Sequence, residues 1–203
     1  MLNYLNQIDT ELFLIMNGWH NHFFDILMVY VSSMLFWLPF YIFLFYLLIR
    51  EYKWKSLILL LFTAFLITLT DQSSVQLFKN VFQRLRPCHN PDIQAMVHTV
   101  EYCGGLYSFV SSHATNYFGI IVFVSGLLKN RYKWLPWVLV IWGLLIIYSR
   151  IYLGVHYPGD VLFGSLLGLG CGYLTYFIFK LLIKRLPPEW WIANPPLEEQ
   201  TKS

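Results

Sequence analysis

The chain has 203 residues, 57% of them hydrophobic and 12% charged, with a formal net charge of +3 and a mean hydropathy of +0.53. Soluble domains carry roughly 25% charged residues, so this chain has too few polar groups to coat a water-facing surface and is neither a disordered tail, a coiled coil nor an ordinary cytosolic enzyme. Its small, dispersed positive charge also excludes a nucleic-acid binder, which needs a concentrated basic face.

Residues 4–24 are apolar but broken by Asn17, Gly18 and Asn21. This pattern predicts one or two short interfacial or half-inserted helices, with a sixth crossing as the alternative. Ile26–Ile49 runs 24 residues without a charge, more than the ~20 needed to cross the hydrocarbon core. Ser56–Thr70 continues past Asp71 towards Lys79 as a second span whose outer end turns polar. Tyr102–Leu128 is also charge-free, with its helix expected to start near Ser111. Trp134–Ser149 and Val161–Phe179 complete five clear spans. The fold class expected is therefore all-α, a polytopic membrane helix bundle forming one domain over residues 1–185, with 186–203 as a cytoplasmic tail. No Lys or Arg occurs in the first 49 residues, so the basic region of a cleavable signal is missing and the first long apolar run is expected to act as an uncleaved anchor.

Basic residues beside the spans set the orientation. Arg50-Glu51-Tyr52-Lys53-Trp54-Lys55, Lys129-Asn130-Arg131-Tyr132-Lys133 and the group Lys180, Lys184 and Arg185 all fall on one side when five spans are threaded. That side is expected to be cytoplasmic, which turns residues 80–110 and 150–160 outward. Lys79, Arg84, Arg86 and Arg150 then lie on the disfavoured side and need a local reason.

Three segments reach the outward face: Lys79 to Pro87, Ser108 to His113, and Ser149 to Asp160. Ionisable groups at membrane depth are costly and usually face a polar cavity or one another. Ser111 and Ser112 stand at a predicted helix start, where free N–H groups and the helix dipole favour an anion. Lys79, Arg86 and Arg150 can neutralise a phosphate through charge-assisted hydrogen bonds. His113 is placed to protonate a leaving oxygen. Asp160, four residues after His156, can hold one imidazole nitrogen and leave the other free for attack. These residues describe a nucleophile, its orienting partner, an acid and a cationic cradle.

The pattern Lys-x6-Arg-Pro, Ser-x-His and Ser-Arg-x5-His-x3-Asp, read here as Lys79–Pro87, Ser111–His113 and Ser149–Asp160, resembles the type 2 phosphatidic acid phosphatase (PAP2) superfamily of integral-membrane lipid phosphatases. The resemblance implies hydrolysis without a metal or other cofactor, through a phosphohistidine on His156 oriented by Asp160, with His113 as acid and then base. Lys79, Arg86, Ser111, Ser112 and Arg150 would hold the phosphate oxygens. The family's second pattern usually reads Pro-Ser-Gly-His, whereas this chain has Val110-Ser111-Ser112-His113. The partner expected is a phosphorylated lipid within the membrane, with no nucleic acid. An outward site in a bacterial cytoplasmic membrane favours undecaprenyl diphosphate as substrate. Phosphatidylglycerophosphate, phosphatidate and lipid A are the alternatives, and a lipid-binding or transport protein with a retained pocket is the non-enzymatic one.

Other residues carry plainer expectations. Arg84, outside the pattern, reads as a cation snorkelling to the headgroups. Cys88 and Cys103 share the outward loop and could form a disulfide in an oxidising compartment, or a zinc site with His89 and His98. Cys171 reads as a packing residue, and His20 and His22 as interfacial. Asp71 is expected to pair with a buried partner or line a lipid entrance. Pro187-Pro188 reads as a helix stop and Trp190-Trp191 as an interface anchor, ahead of a disordered end.

Overall fold

The computed structural model describes residues 2–185. The expectations for the tail (its cytoplasmic placement, helix stop, aromatic anchor and disordered end) concern residues outside that range. The helices are α1 (Leu2–Gly18), α2 (His22–Ser32), α3 (Leu38–Tyr52), α4 (Ser56–Gln72), the short α5 (Asn80–Phe82), α6 (Ser112–Leu128), α7 (Leu135–Tyr152) and α8 (Pro158–Ile183). A wide π-helical segment, Ser73–Lys79, joins α4 to α5. The long 83–111 loop is pinned by one antiparallel bridge between Leu85 and Tyr107.

The helices are apolar on both faces, as lipid demands. Leu59, Leu66, Phe123, Leu139 and Ile146 fill the interior, while Ile42, Leu61, Trp137, Leu162 and Tyr173 face outward. Among the described residues, three helical runs are long and apolar enough to cross a membrane: Leu38–Phe82, Leu135–Tyr152 and Pro158–Ile183. α2 and α6 are shorter apolar helices. The chain is a multi-pass membrane protein.

The uninterrupted span expected over Ile26–Ile49 is broken. α2 stops at Ser32, residues 34–37 turn, and α3 begins with Pro39 in its first turn, where a missing N–H costs nothing. At this depth a freed backbone carbonyl must find a partner within the protein, and Trp37 Nε1 donates to Val31 O at 2.8 Å. The other expected starts and ends lie close to those observed. Ser111 caps α6, and the second span does continue through Asp71 to Lys79.

Glycines set the closest approach in the bundle. A Cβ on Gly164, Gly168 or Gly172 of α8 would meet the carbonyl oxygens of Ser111, Thr115 and Gly119 at 2.7, 2.3 and 2.5 Å respectively. One edge of α8 therefore lies directly on the backbone of α6, a small-residue seam of the kind that joins membrane helices. α3 runs alongside α6, with Tyr41 Oη on Tyr117 Oη at 3.1 Å and Tyr52 Oη on Leu127 O at 2.9 Å. α4 runs the opposite way, with Thr70 on Asn116 and Ser74 on Ser112. The three basic turns meet at one end, where Tyr132 Oη donates to Glu51 at 2.7 Å and Arg131 lies 3.4 Å from the same carboxylate. The polar outward segments gather at the other end.

α1 is more deeply built in than an interfacial helix. Phe13 is fully buried with its ring 5.4 Å from that of Tyr157. The Asn17 amide bonds both backbone groups of His98 at 2.8 and 3.0 Å and the Tyr152 carbonyl at 2.7 Å. Gly154, at φ +78°, passes so close to the His98 carbonyl that a side chain there would clash at 2.8 Å.

Candidate active site

The polar end collects all the residues expected there. Ser111 is the N-cap of α6; its backbone N–H is already committed, donating to the Asp160 carbonyl at 3.0 Å, and its hydroxyl faces Ala114 N at 3.5 Å. The N–H groups left for an anion at this helix start are therefore those of Ser112 and His113. The Ser112 hydroxyl meets Ser74 Oγ at 2.7 Å, so the residue standing where the family has glycine ties α6 to the π-helical segment. That segment rotates Lys79 inward, where it lies within electrostatic reach of Arg86, Arg150, Asp71 and Asp160. Asp71 thus has a cationic neighbour.

Arg86 leaves the loop and is 9% exposed. Its Nη1 donates to the Cys103 carbonyl at 2.9 Å, and Gly104, at φ +76°, folds over its guanidinium. Burial lowers its pKa from the ordinary arginine value. Arg150, near the end of α7, donates Nη1 to Ser32 Oγ, where α2 ends. The Nε groups of Arg86 and Arg150 are buried without a hydrogen-bond partner among the described residues. Among the described residues no carboxylate lies within ion-pair distance of Lys79, Arg86 or Arg150. One buried and two half-buried cations with no carboxylate in contact, held at a cost in desolvation, describe a place prepared for an anion.

His156 is 1% exposed in the loop between α7 and α8. Its Nδ1 lies 3.5 Å from Asp160 Oδ2, long for a hydrogen bond, and the Ser108 backbone is the ring's other polar neighbour. Burial first, and then the charges of Arg86, Arg150 and Lys79, hold its pKa well below the ordinary histidine value. His113 stands within electrostatic reach of Arg150, His156, Lys79 and Arg86.

The sequence misplaced one residue and missed another. Arg84 does not reach out freely as a snorkelling cation would: its Nη1 bridges Asp9 Oδ2 at 2.7 Å and Asp160 Oδ1 at 3.0 Å, and its guanidinium stacks 3.8 Å from the Tyr157 ring. The signal was present in Arg84-Leu85-Arg86, because residues two apart on an extended segment share a face. Asp9 also accepts from Gly159 N at 2.7 Å; a lone carboxylate on α1 carried no signal. Cys88 and Cys103 are joined as a disulfide. The ligand atoms of Cys88, His89 and Cys103 lie within 4.8 Å of one another, but the two sulfurs are bonded to each other and His98 pairs with Asp25 at 2.8 Å, so the alternative four-residue zinc set does not come together. His20 stacks on His98 at 3.6 Å.

A helix bundle apolar on all sides, with a buried cationic cradle and two histidines at one end, defines a membrane enzyme handling a phosphorylated lipid. The comparisons agree. The PAP2 superfamily profile matches residues 54–182. The chain is 37% identical over 190 residues to the lipid A 4'-phosphatase of Bacteroides thetaiotaomicron, covering 92% of this chain and 83% of that protein. It is 36% identical over 92 residues to an undecaprenyl-diphosphatase of Bacillus subtilis, covering 45% of this chain and 46% of that one. The fold matches the crystal structure of a transmembrane PAP2-type phosphatidylglycerolphosphate phosphatase from Bacillus subtilis, with a TM-score of 0.68, 22% identity and coverage of 91% and 90% of the two chains. The chain belongs to the PAP2 superfamily and is a membrane lipid phosphatase, a hydrolase of phosphoric esters.

Proposed function

We propose that the chain removes the 4'-phosphate of a lipid A molecule presented at the outer face of the cytoplasmic membrane. The observation carrying this reading is the likeness to a lipid A 4'-phosphatase along 92% of the chain. Undecaprenyl diphosphate, favoured by the outward site alone, rests on a likeness confined to less than half of the chain. The three basic turns gathered at the opposite end support a cytoplasmic location for that end, which leaves the site outward.

In the mechanism, His156 attacks phosphorus. The N–P bond forms as the P–O bond to the sugar breaks, and His113 gives its proton to the departing oxygen. Water then attacks the phosphohistidine, the N–P bond breaks, and His113 takes the water proton as base. Lys79, Arg86, Arg150 and the N–H groups of Ser112 and His113 hold the non-bridging oxygens, whose charge the cradle offsets without reorganising. Asp160 steadies the ring as it becomes cationic. The Ser111 N–H, being bonded to Asp160 O, contributes by fixing the turn.

The test is phosphate release by purified protein in detergent with EDTA, compared across bis-phosphorylated lipid A, undecaprenyl diphosphate, phosphatidylglycerophosphate and phosphatidate. Release from lipid A at least about tenfold faster in kcat/KM is expected, a difference of ~1.4 kcal/mol in transition-state binding. Preference for another lipid would replace the substrate and leave the chemistry standing. Loss of turnover in EDTA that added metal restores would overturn the chemistry.

A further inference from the structure

We propose that Arg84 and Asp9 are positioning residues for the phosphatase reaction: together they fix the Asp160 carboxylate in the orientation and charge state that His156 requires. The inference rests on the reading of His156 as nucleophile and Asp160 as its partner.

The two oxygens of Asp160 have separate tasks. Oδ1 accepts from Arg84 Nη1 at 3.0 Å. Oδ2 accepts from Tyr157 N at 2.9 Å and is the oxygen facing His156 Nδ1 at 3.5 Å. The residue has no solvent exposure, and a buried carboxylate without a cation in contact protonates or moves. Arg84 is the cation in ion-pair contact with it among the described residues; Lys79 and Arg86 act on it only through space. Arg84 is itself held from several sides. The Tyr157 ring lies beneath it, its carbonyl accepts from Ser108 N at 2.8 Å, and Asp9 takes the same Nη1 at 2.7 Å.

Asp9 has a second role. Its Oδ1 accepts from Gly159 N at 2.7 Å, in the first turn of α8, where N–H groups lack intrahelical partners. A side chain at position 159 would meet Asp9 Oδ2 at 2.7 Å, so glycine is what lets the carboxylate approach. The N-terminal helix is thereby fastened to the helix that carries Asp160.

The charges explain why a second carboxylate is needed. Arg84 alone would neutralise Asp160 and weaken its hold on a cationic ring. Shared with Asp9, the arginine leaves the trio with a net charge of −1, counted from two carboxylates and one guanidinium. The residual negative charge faces His156, which otherwise sees Arg86, Arg150, Lys79 and His113. Stabilisation of the forming imidazolium by a fixed carboxylate is the same logic that serves other histidine-based hydrolases.

The test compares wild type with R84Q, R84K, D9N and H156A as full-length proteins in detergent, on bis-phosphorylated lipid A with EDTA, measuring kcat, KM and the pH dependence of kcat/KM. R84Q is expected to lose about 100-fold in kcat, the scale of a small misplacement of a reacting group, with KM changed by no more than about threefold. R84K should recover about tenfold of that loss, because a lysine keeps the charge and can donate to a carboxylate but lacks the fixed planar fork of the guanidinium. The acid limb should move to higher pH in R84Q, which removes a positive charge, and to lower pH in D9N, which removes a negative one. A purely structural role would not move the two in opposite directions. Wild-type kcat in both R84Q and D9N, or limbs that fail to separate, overturns the proposal. Should R84Q fail to elute as folded protein, D9N and R84K decide by the same criteria. H156A keeps the two readings apart. An active H156A removes the nucleophile itself, whereas an inactive H156A beside fully active R84Q and D9N removes only the positioning role.

Discussion

The backbone N–H of Ser111 donates to the backbone carbonyl of Asp160 at 3.0 Å, so the helix that begins with one histidine is locked to the helix that carries the other's partner. The seam of Gly164, Gly168 and Gly172 makes this contact attainable. Gly168 is the tightest position, with a virtual Cβ 2.3 Å from Thr115 O, and backbone cannot move aside as a flexible side chain can. Gly168→Val is therefore expected to cost about 1–3 kcal/mol, as overpacking does, and to abolish turnover by parting α6 from α8. Gly170→Ala, with nothing within 4 Å of its virtual Cβ, is the control and should melt with wild type. Equal melting temperatures for the two variants would remove the seam as the source of site alignment.

The disulfide between Cys88 and Cys103 braces the loop whose Cys103 carbonyl receives Arg86 Nη1 at 2.9 Å. Replacing both cysteines by serine is expected to destabilise the protein by about 2–4 kcal/mol. KM for the lipid phosphate should rise more than kcat falls, because Arg86 would keep its charge but lose its fixed acceptor. An unchanged KM in the double variant, with lowered thermal stability, would confine the disulfide to a stabilising role.

Ser112 stands where the family usually has glycine, and it uses its hydroxyl on Ser74 at 2.7 Å. Ser112→Gly keeps the backbone N–H offered to the phosphate and loses this one hydrogen bond. The expected cost is about 1 kcal/mol of stability, with kcat/KM within about fivefold of wild type. A hundredfold loss would show that the Ser112 hydroxyl itself reaches the substrate.

The extent to which these features could be read from sequence follows from what each depends on. Lys79, Arg86, His113, Arg150, His156 and Asp160 were legible because cations, histidines and carboxylates beside membrane spans are conspicuous and their spacings are short. The break between α2 and α3 was not: Ser32, Ser33 and Pro39 lie inside a charge-free run, and composition alone cannot distinguish a continuous crossing from a broken one. Asp9 was illegible for another reason. Its partner Gly159 lies 150 residues away, and a contact of that range arises only from the packing of α1 on the start of α8. Arg84 could be placed on the face of Arg86 by its spacing, but not its partner Asp160, 76 residues on. Asn17, which clamps His98 and Tyr152, was read merely as an interruption of an apolar run.

The protonation of His156 gives the remaining prediction. The ring is in the loop before α8, fully buried, and first burial, then Arg86, Arg150 and Lys79, keep its pKa well below the ordinary 6.5. The neutral imidazole is the nucleophilic form, so it should persist as pH falls through 6.5, and the acid limb set by this group should lie below that value. Because a phosphate monoester has its own ionisation near pH 6, the cleaner readout is free of substrate. In 15N-histidine NMR of the unliganded protein, the signal missing from H156N should remain that of a neutral ring at pH 5.5. The same shift fixes a sign for stability. Below about pH 6.5 the unfolded chain protonates this histidine while the folded protein does not, so stability falls as pH falls. H156N should lack that component and melt with a shallower pH dependence between pH 6.5 and 5 than wild type. A His156 ring already protonated at pH 6 would mean that the cationic cradle does not govern this histidine.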